Sequence, residues 1–160
     1  MIKIIDNFLD EDLIKHLEYF FSFRTPHFYG HFSNRESLKK HKNFFYACEL
    51  TSNDNLIGFL QNKIKKQFGL NQVIRTYINI QFKGMNGTFH QDDGLNTILL
   101  MITKTLKKGS GMFEIKEDNI IKKIDFVQNR LIKFDAKKFH RGLSPKENNT
   151  PRITLAFKTI

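Results

Sequence analysis

The sequence predicts a mainly β protein of the α+β class, with two N-terminal helices supporting a block of antiparallel strands. Three observations predict it. Apolar residues recur at three- and four-residue spacing in two segments of the first half. After Gly69 that period gives way to short apolar runs of strand length. The connections between those runs carry Gly, Asn, Asp or Pro, and no helix-length pattern separates them, so the strands are expected to form an antiparallel sandwich or barrel.

In order along the chain, Ile2 to Ile5 suits a short strand. Asp6, Asn7 and then Asp10, Glu11 and Asp12 supply cap residues and N-terminal acids for a helix running to about Phe23. Its apolar set is Leu13, Ile14, Leu17, Phe20 and Phe21. Residues 24–43, with Pro26, Gly30 and many polar groups, read as loop, and the stretch from about Phe28 to Lys42 as a candidate lid. Phe44 to Leu50 fits a strand. Asn53 or Asp54 caps a second amphipathic helix, with Leu56, Phe59, Leu60, Ile64 and Phe68 inward and its end near Gly69. Strands are then expected at Val73 to Phe82, Thr97 to Thr103, Met112 to Ile115, Ile120 to Phe126, Leu131 to Phe134 and Arg152 to Lys158. With no repeat, linker or low-complexity tract, residues 1–160 read as one domain: 1–72 mostly helical support and loop, 73–160 the β core.

Composition sets the bounds on function. The net charge of +10 invites a nucleic-acid reading, but the lysines are dispersed as pairs along the chain, as on a solvated surface. Nucleic acid therefore ranks below a protein or peptide as partner. The lone Cys48 excludes an intramolecular disulfide, MIKIIDNFLDEDL lacks the apolar run of a signal peptide, and Ile98 to Ile102 is too short to span a bilayer. A cytoplasmic protein without membrane contact is the expectation.

His90 and Asp92 sit two apart in TFHQDDG. In extended backbone, residues i and i+2 face the same way, so imidazole and carboxylate can meet one ion while Gln91 and Asp93 point elsewhere. His140 follows the apolar run LIKF. Two His and one carboxylate on one face of a metal form the ligand set of non-haem iron(II) oxygenases, which leaves cis positions open for a 2-oxo acid and O2. A His-x-Asp alone is a weak signal. Arg152 and Thr154 strengthen it, since they share one strand face while Ile153, Leu155 and Phe157 line the other. A buried Arg is costly unless it meets an anion, either a ligand carboxylate or an Asp or Glu of the chain. A zinc hydrolase with the same ligands would want a Glu general base beside the metal motif, and none is evident. His27 and His31, four apart but flanked by Pro26 and Gly30, read as structural or surface residues.

The segments YINIQFKGMNGTFHQDDGLNTILLMIT, GSGMFEI, NRLIKFDAKKFHRGLSP and PRITLAF resemble the prolyl 4-hydroxylase-like branch of the Fe(II)/2-oxoglutarate-dependent dioxygenases. The resemblance spans about Tyr77 to Phe157. It implies a double-stranded β-helix (jelly-roll) core and Fe(II) held by His90, Asp92 and His140. It also implies 2-oxoglutarate and O2 as cosubstrates, with ascorbate a candidate reductant. Arg152, assisted by Thr154, would bind the far carboxylate of 2-oxoglutarate, and Tyr77, Asn79 and Gln81 would line the pocket. The implied reaction is hydroxylation of an unactivated C–H bond, foremost in a prolyl residue of a protein or peptide. The alternatives are an oxygenase of nucleic acid or a free amino acid, or a non-catalytic binding module of the same fold. Two departures stand out: Ser110-Gly111 replaces a common Gly-Gly, and Met101 falls where related enzymes often place a Tyr on the cosubstrate.

Overall fold

The computed structural model describes residues 1–34, 44–118 and 120–160. Among these, ten strands and two helices follow the order β1 (Lys3–Ile5), α1 (Glu11–Phe23), β2 (Phe28–His31), β3 (Phe45–Leu50), α2 (Asn55–Phe68), β4 (Val73–Gln81), β5 (Asn96–Met101), β6 (Phe113–Glu117), β7 (Ile120–Ile124), β8 (Leu131–Asp135), β9 (His140–Gly142) and β10 (Arg152–Thr159). Seven strands form one antiparallel sheet in the order β1-β8-β5-β10-β4-β3-β2, and β7-β6-β9 form a second. This is the jelly-roll arrangement of a double-stranded β-helix, with both helices on one side.

The helices begin and end for local reasons. The Asp54 carboxylate accepts hydrogen bonds from the Leu56 and Ile57 amides at 2.8 and 3.1 Å, closing the start of α2. Gly69 ends it in the left-handed conformation, φ 61°. Asp10 takes the cap position of α1 without a side-chain bond, so Glu11 and Asp12 favour that end through the helix dipole alone. The buried stripe of α1 is Ile14, Leu17 and Phe21, and that of α2 is Ile57, Leu60 and Ile64. Phe59, expected to face inward, is 52% exposed; Ile57 takes the core position because the stripe runs through 57, 60 and 64.

Strand alternation builds two cores from one sheet. Ile78, Ile98, Leu100, Ile153, Leu155 and Phe157 pack against the helices. Their sequence neighbours Tyr77, Leu99, Met101 and Ala156 face the small sheet, with Phe113, Ile115 and Phe134. Strand β10 lies at the centre, paired with β4 on one side and β5 on the other.

Two strands were not expected. Residues 28–31, read as loop, pair with β3 as an edge strand. Residues 140–142 form β9 against β6. Both are too short to display an alternating pattern, and tertiary pairing alone specifies them. Residues 35–42 of the expected lid lie outside the described residues.

Candidate active site and metal centre

The segment after β4 turns through a Phe82 to Met85 hydrogen bond and runs back to β9, where His90 and His140 exchange both backbone hydrogen bonds at 3.0 and 2.9 Å. Two residues on, the Asp92 amide donates to the Ala136 carbonyl at 2.8 Å. The backbone therefore delivers both imidazoles and the carboxylate to one face, between the two sheets. Candidate ligand atoms of His90, Asp92 and His140 all lie within 4.8 Å of one another.

The groups that hydrogen-bond to the three side chains set their chemical state. Nδ1 of His90 lies 2.9 Å from the Thr88 carbonyl, and Nδ1 of His140 lies 2.9 Å from the Lys138 carbonyl. A carbonyl only accepts, so both Nδ1 atoms donate and both Nε2 atoms can offer lone pairs to a metal. Burial, then the neighbouring His140, pushes the His90 pKa down to about 4, which keeps its ring neutral. The Nε2 atoms sit 3.7 Å (His90) and 3.4 Å (His140) from Asp92 carboxylate oxygens. Thr97 donates to Asp92 Oδ2 at 2.7 Å, and the Lys158 ammonium lies 3.1 Å from Oδ1. Desolvation acts to raise the Asp92 pKa, but His140, Lys158 and His90 together hold it below the ordinary carboxylate range. One carboxylate and two imidazoles with their Nε2 atoms turned to the same point are a donor set suited to a borderline divalent transition metal. The residues fit the iron implied above.

The triad opens into a cavity of about 250 Å³ that Tyr77, Asn79, Gln81, Arg152 and Thr154 also line. Arg152 is 2% exposed, and burial lowers its pKa to about 10. Its Nε donates to the Gly111 carbonyl at 2.8 Å, its Nη1 to Gln81 Oε1 at 2.7 Å, and the guanidinium lies 5.3 Å from the Phe126 ring centroid. Among the described residues no carboxylate comes within salt-bridge range of it, which answers the intramolecular ion-pair alternative. Gln81 is committed to positioning, since its Nε2 donates to the carbonyls of Met85 and Gly142. Gly142 is required here: an added Cβ would stand 2.9 Å from both Arg152 Nη1 and Gln81 Oε1. Asn79 Oδ1 is buried without a hydrogen-bond partner, one of two such side-chain atoms among the described residues, and the residue lines the cavity.

Some expectations shift. Leu99 lines the cavity, whereas Met101 is buried in the core with its sulfur accepting from the Val127 amide at 3.3 Å. Met101 is thus not the residue that meets a ligand there. Ser110, in place of a glycine, is buried and its hydroxyl bonds to Glu147. His31, read as structural, borders the cavity from β2. Thr97 and Lys158 were missed. Lys158 could have been found, because it shares parity with Arg152 and Thr154 on one strand. Thr97 carried no such signal.

No family model matches the chain, and no curated protein matches it in sequence. Solved structures do match in fold. An oxidoreductase of the 2OG-Fe(II) oxygenase family from Burkholderia pseudomallei superposes with a TM-score of 0.76 at 11% identity, covering 98% of this chain and 83% of its own. A prolyl hydroxylase from Trichoplax adhaerens, in complex with a hypoxia inducible factor oxygen degradation domain peptide fragment, gives 0.75 at 14%, covering 99% and 83%. SnoN, a non-haem α-ketoglutarate-dependent epimerase from nogalamycin biosynthesis, gives 0.71 at 7%, covering 98% and 76%. The chain has the double-stranded β-helix fold shared by these structures, and inside it His90, Asp92 and His140 converge as a group that could hold a metal ion.

Proposed function

We propose that this protein is an iron(II)- and 2-oxoglutarate-dependent dioxygenase that hydroxylates an unactivated C–H bond. One observation carries the reading. The buried Arg152 guanidinium, which has no carboxylate partner among the described residues, opens into the same cavity as a convergent His-Asp-His set. Desolvating an unpaired charge costs several kcal/mol, roughly, so Arg152 demands an anionic ligand. A zinc hydrolase leaves that demand unexplained.

His90 and His140 would hold the metal through Nε2, each ring fixed by its Nδ1–H bond, and Asp92 would supply the charge. Iron(II) with 2-oxoglutarate supplies oxidation of a C–H bond by O2, coupled to decarboxylation of the cosubstrate to succinate. Arg152 would clamp the far carboxylate, with Gln81 and the Gly111 carbonyl aiming the fork and Thr154 beside it. Tyr77 and Asn79 would border the cosubstrate. A prolyl residue in a protein or peptide is the first substrate to try, supported by the sequence resemblance and by the peptide-bound prolyl hydroxylase of like fold.

Anaerobic addition of Fe(II) and then 2-oxoglutarate should produce a weak visible charge-transfer band, absent with Fe(II) alone. A protein that binds neither, while folded, would refute the proposal. Mass spectrometry on a proline-containing peptide library should then show a gain of one oxygen. Demethylation of methylated single-stranded oligonucleotides, with no peptide product, would transfer the substrate to nucleic acid.

A further inference from the structure

The pocket contains a second buried cation that the proposed reaction does not use. Lys158 is 6% exposed, and its ammonium lies 3.1 Å from Asp92 Oδ1 and 5.6 Å from the Tyr77 ring centroid. It stands on the same face of β10 as Arg152 and Thr154, with Thr154 and Ala156 between the two cations. Around it, the other charged groups are already committed or wet. Arg75 is paired with Glu49, and Asp93 is exposed at the cavity margin. Asp92 is the only buried carboxylate bordering the cavity among the described residues.

Asp92 cannot serve two cations fully. Once a divalent metal sits at the triad, that one carboxylate faces both the dication and the ammonium. The dianion 2-oxoglutarate offsets two further positive charges, one of them that of Arg152. The buried groups of the cavity then retain one uncompensated positive charge, located at Lys158. A charge left so in a largely desolvated position is unfavourable unless an anion joins it. Building on the oxygenase reading, we infer that Lys158 is a substrate-binding residue and that the molecule oxidised carries a carboxylate close to the reacting carbon. A free amino acid or an acidic residue beside the target position meets this requirement; a neutral substrate does not. The bland alternative is that Lys158 only neutralises Asp92. In that case it would weaken metal binding and ignore other anions.

The two readings separate without turnover. The protein is loaded with nickel(II) and saturating 2-oxoglutarate, then titrated with monocarboxylates from formate to hexanoate and with the matching primary amides. Thermal unfolding and calorimetry report binding. The expected result is saturable stabilisation by carboxylates but not amides, retained in Lys158→Arg and weakened at least about tenfold in Lys158→Met. Absence of a carboxylate effect in the wild type, or an equal effect in Lys158→Met, overturns the assignment. So does tighter nickel binding as the only consequence of Lys158→Met. Failure of 2-oxoglutarate itself to stabilise the nickel-loaded protein would instead refute the oxygenase reading, and it is scored before any carboxylate is added.

Discussion

Each side chain at the centre has a distinct job, so single substitutions should fail in distinct ways. His90→Ala, Asp92→Ala and His140→Ala should each abolish metal binding and turnover while far-ultraviolet circular dichroism stays unchanged. Asp93→Ala, whose carboxylate is exposed, should be mild. Thr97→Val removes the 2.7 Å hydrogen bond to Asp92 and should cost about tenfold or more in metal affinity, the usual effect of losing a ligand's supporting bond. Arg152→Ala should raise the 2-oxoglutarate requirement at least about tenfold, and pyruvate, lacking the far carboxylate, should substitute poorly in the wild type. Efficient use of pyruvate would contradict the role given to Arg152. The convergence of His90 and Asp92 was legible in the sequence because two-residue parity puts them on one face. Thr97 was not, because only the backbone's path from Asp92 into β5 brings its hydroxyl to the carboxylate.

Elements show where local pattern suffices and where it does not. The helices and the long strands could be read, since each displays several repeats of its own period. Strands β2 and β9 could not, for three or four residues hold too little pattern, and β9 exists because β6 pairs with it. The inward placement of Phe59 failed for a related reason: an aromatic near a helical stripe looks buried until the partner sheet sets the rotation. Two changes test elements. Asp54→Ala removes both cap bonds of α2 and should cost about 1 kcal/mol, seen as a lower melting temperature with 2-oxoglutarate binding intact. Gly142→Ala should do the reverse. Its added methyl would displace Arg152 and Gln81, so 2-oxoglutarate affinity should fall more than stability does.

The whole molecule is a three-layer body, helices, large sheet and small sheet, with the candidate site between the two sheets. Among the described residues no helix is long and apolar enough to cross a membrane. Acid should weaken the metal-free protein in a defined window. His90 has its pKa lowered to about 4 by burial, so below its ordinary value of 6.5 the unfolded chain binds a proton that the folded chain refuses. Stability should therefore decline as pH falls from about 6.5 towards 4, and His90→Gln should flatten that decline in urea titrations. Asp92, held below the ordinary carboxylate range, adds its loss only at still lower pH. The central strand has a further consequence. Residues 153, 155 and 157 of β10 enter the oily layer, while 152, 154 and 158 enter the site. A pairing error of one position would press Arg152 and Lys158 into the helix-facing core and turn three large apolar side chains toward the metal. Such a misfolded intermediate would be costly on both faces at once. The two buried cations thus also specify the register in which β10 pairs with β4 and β5.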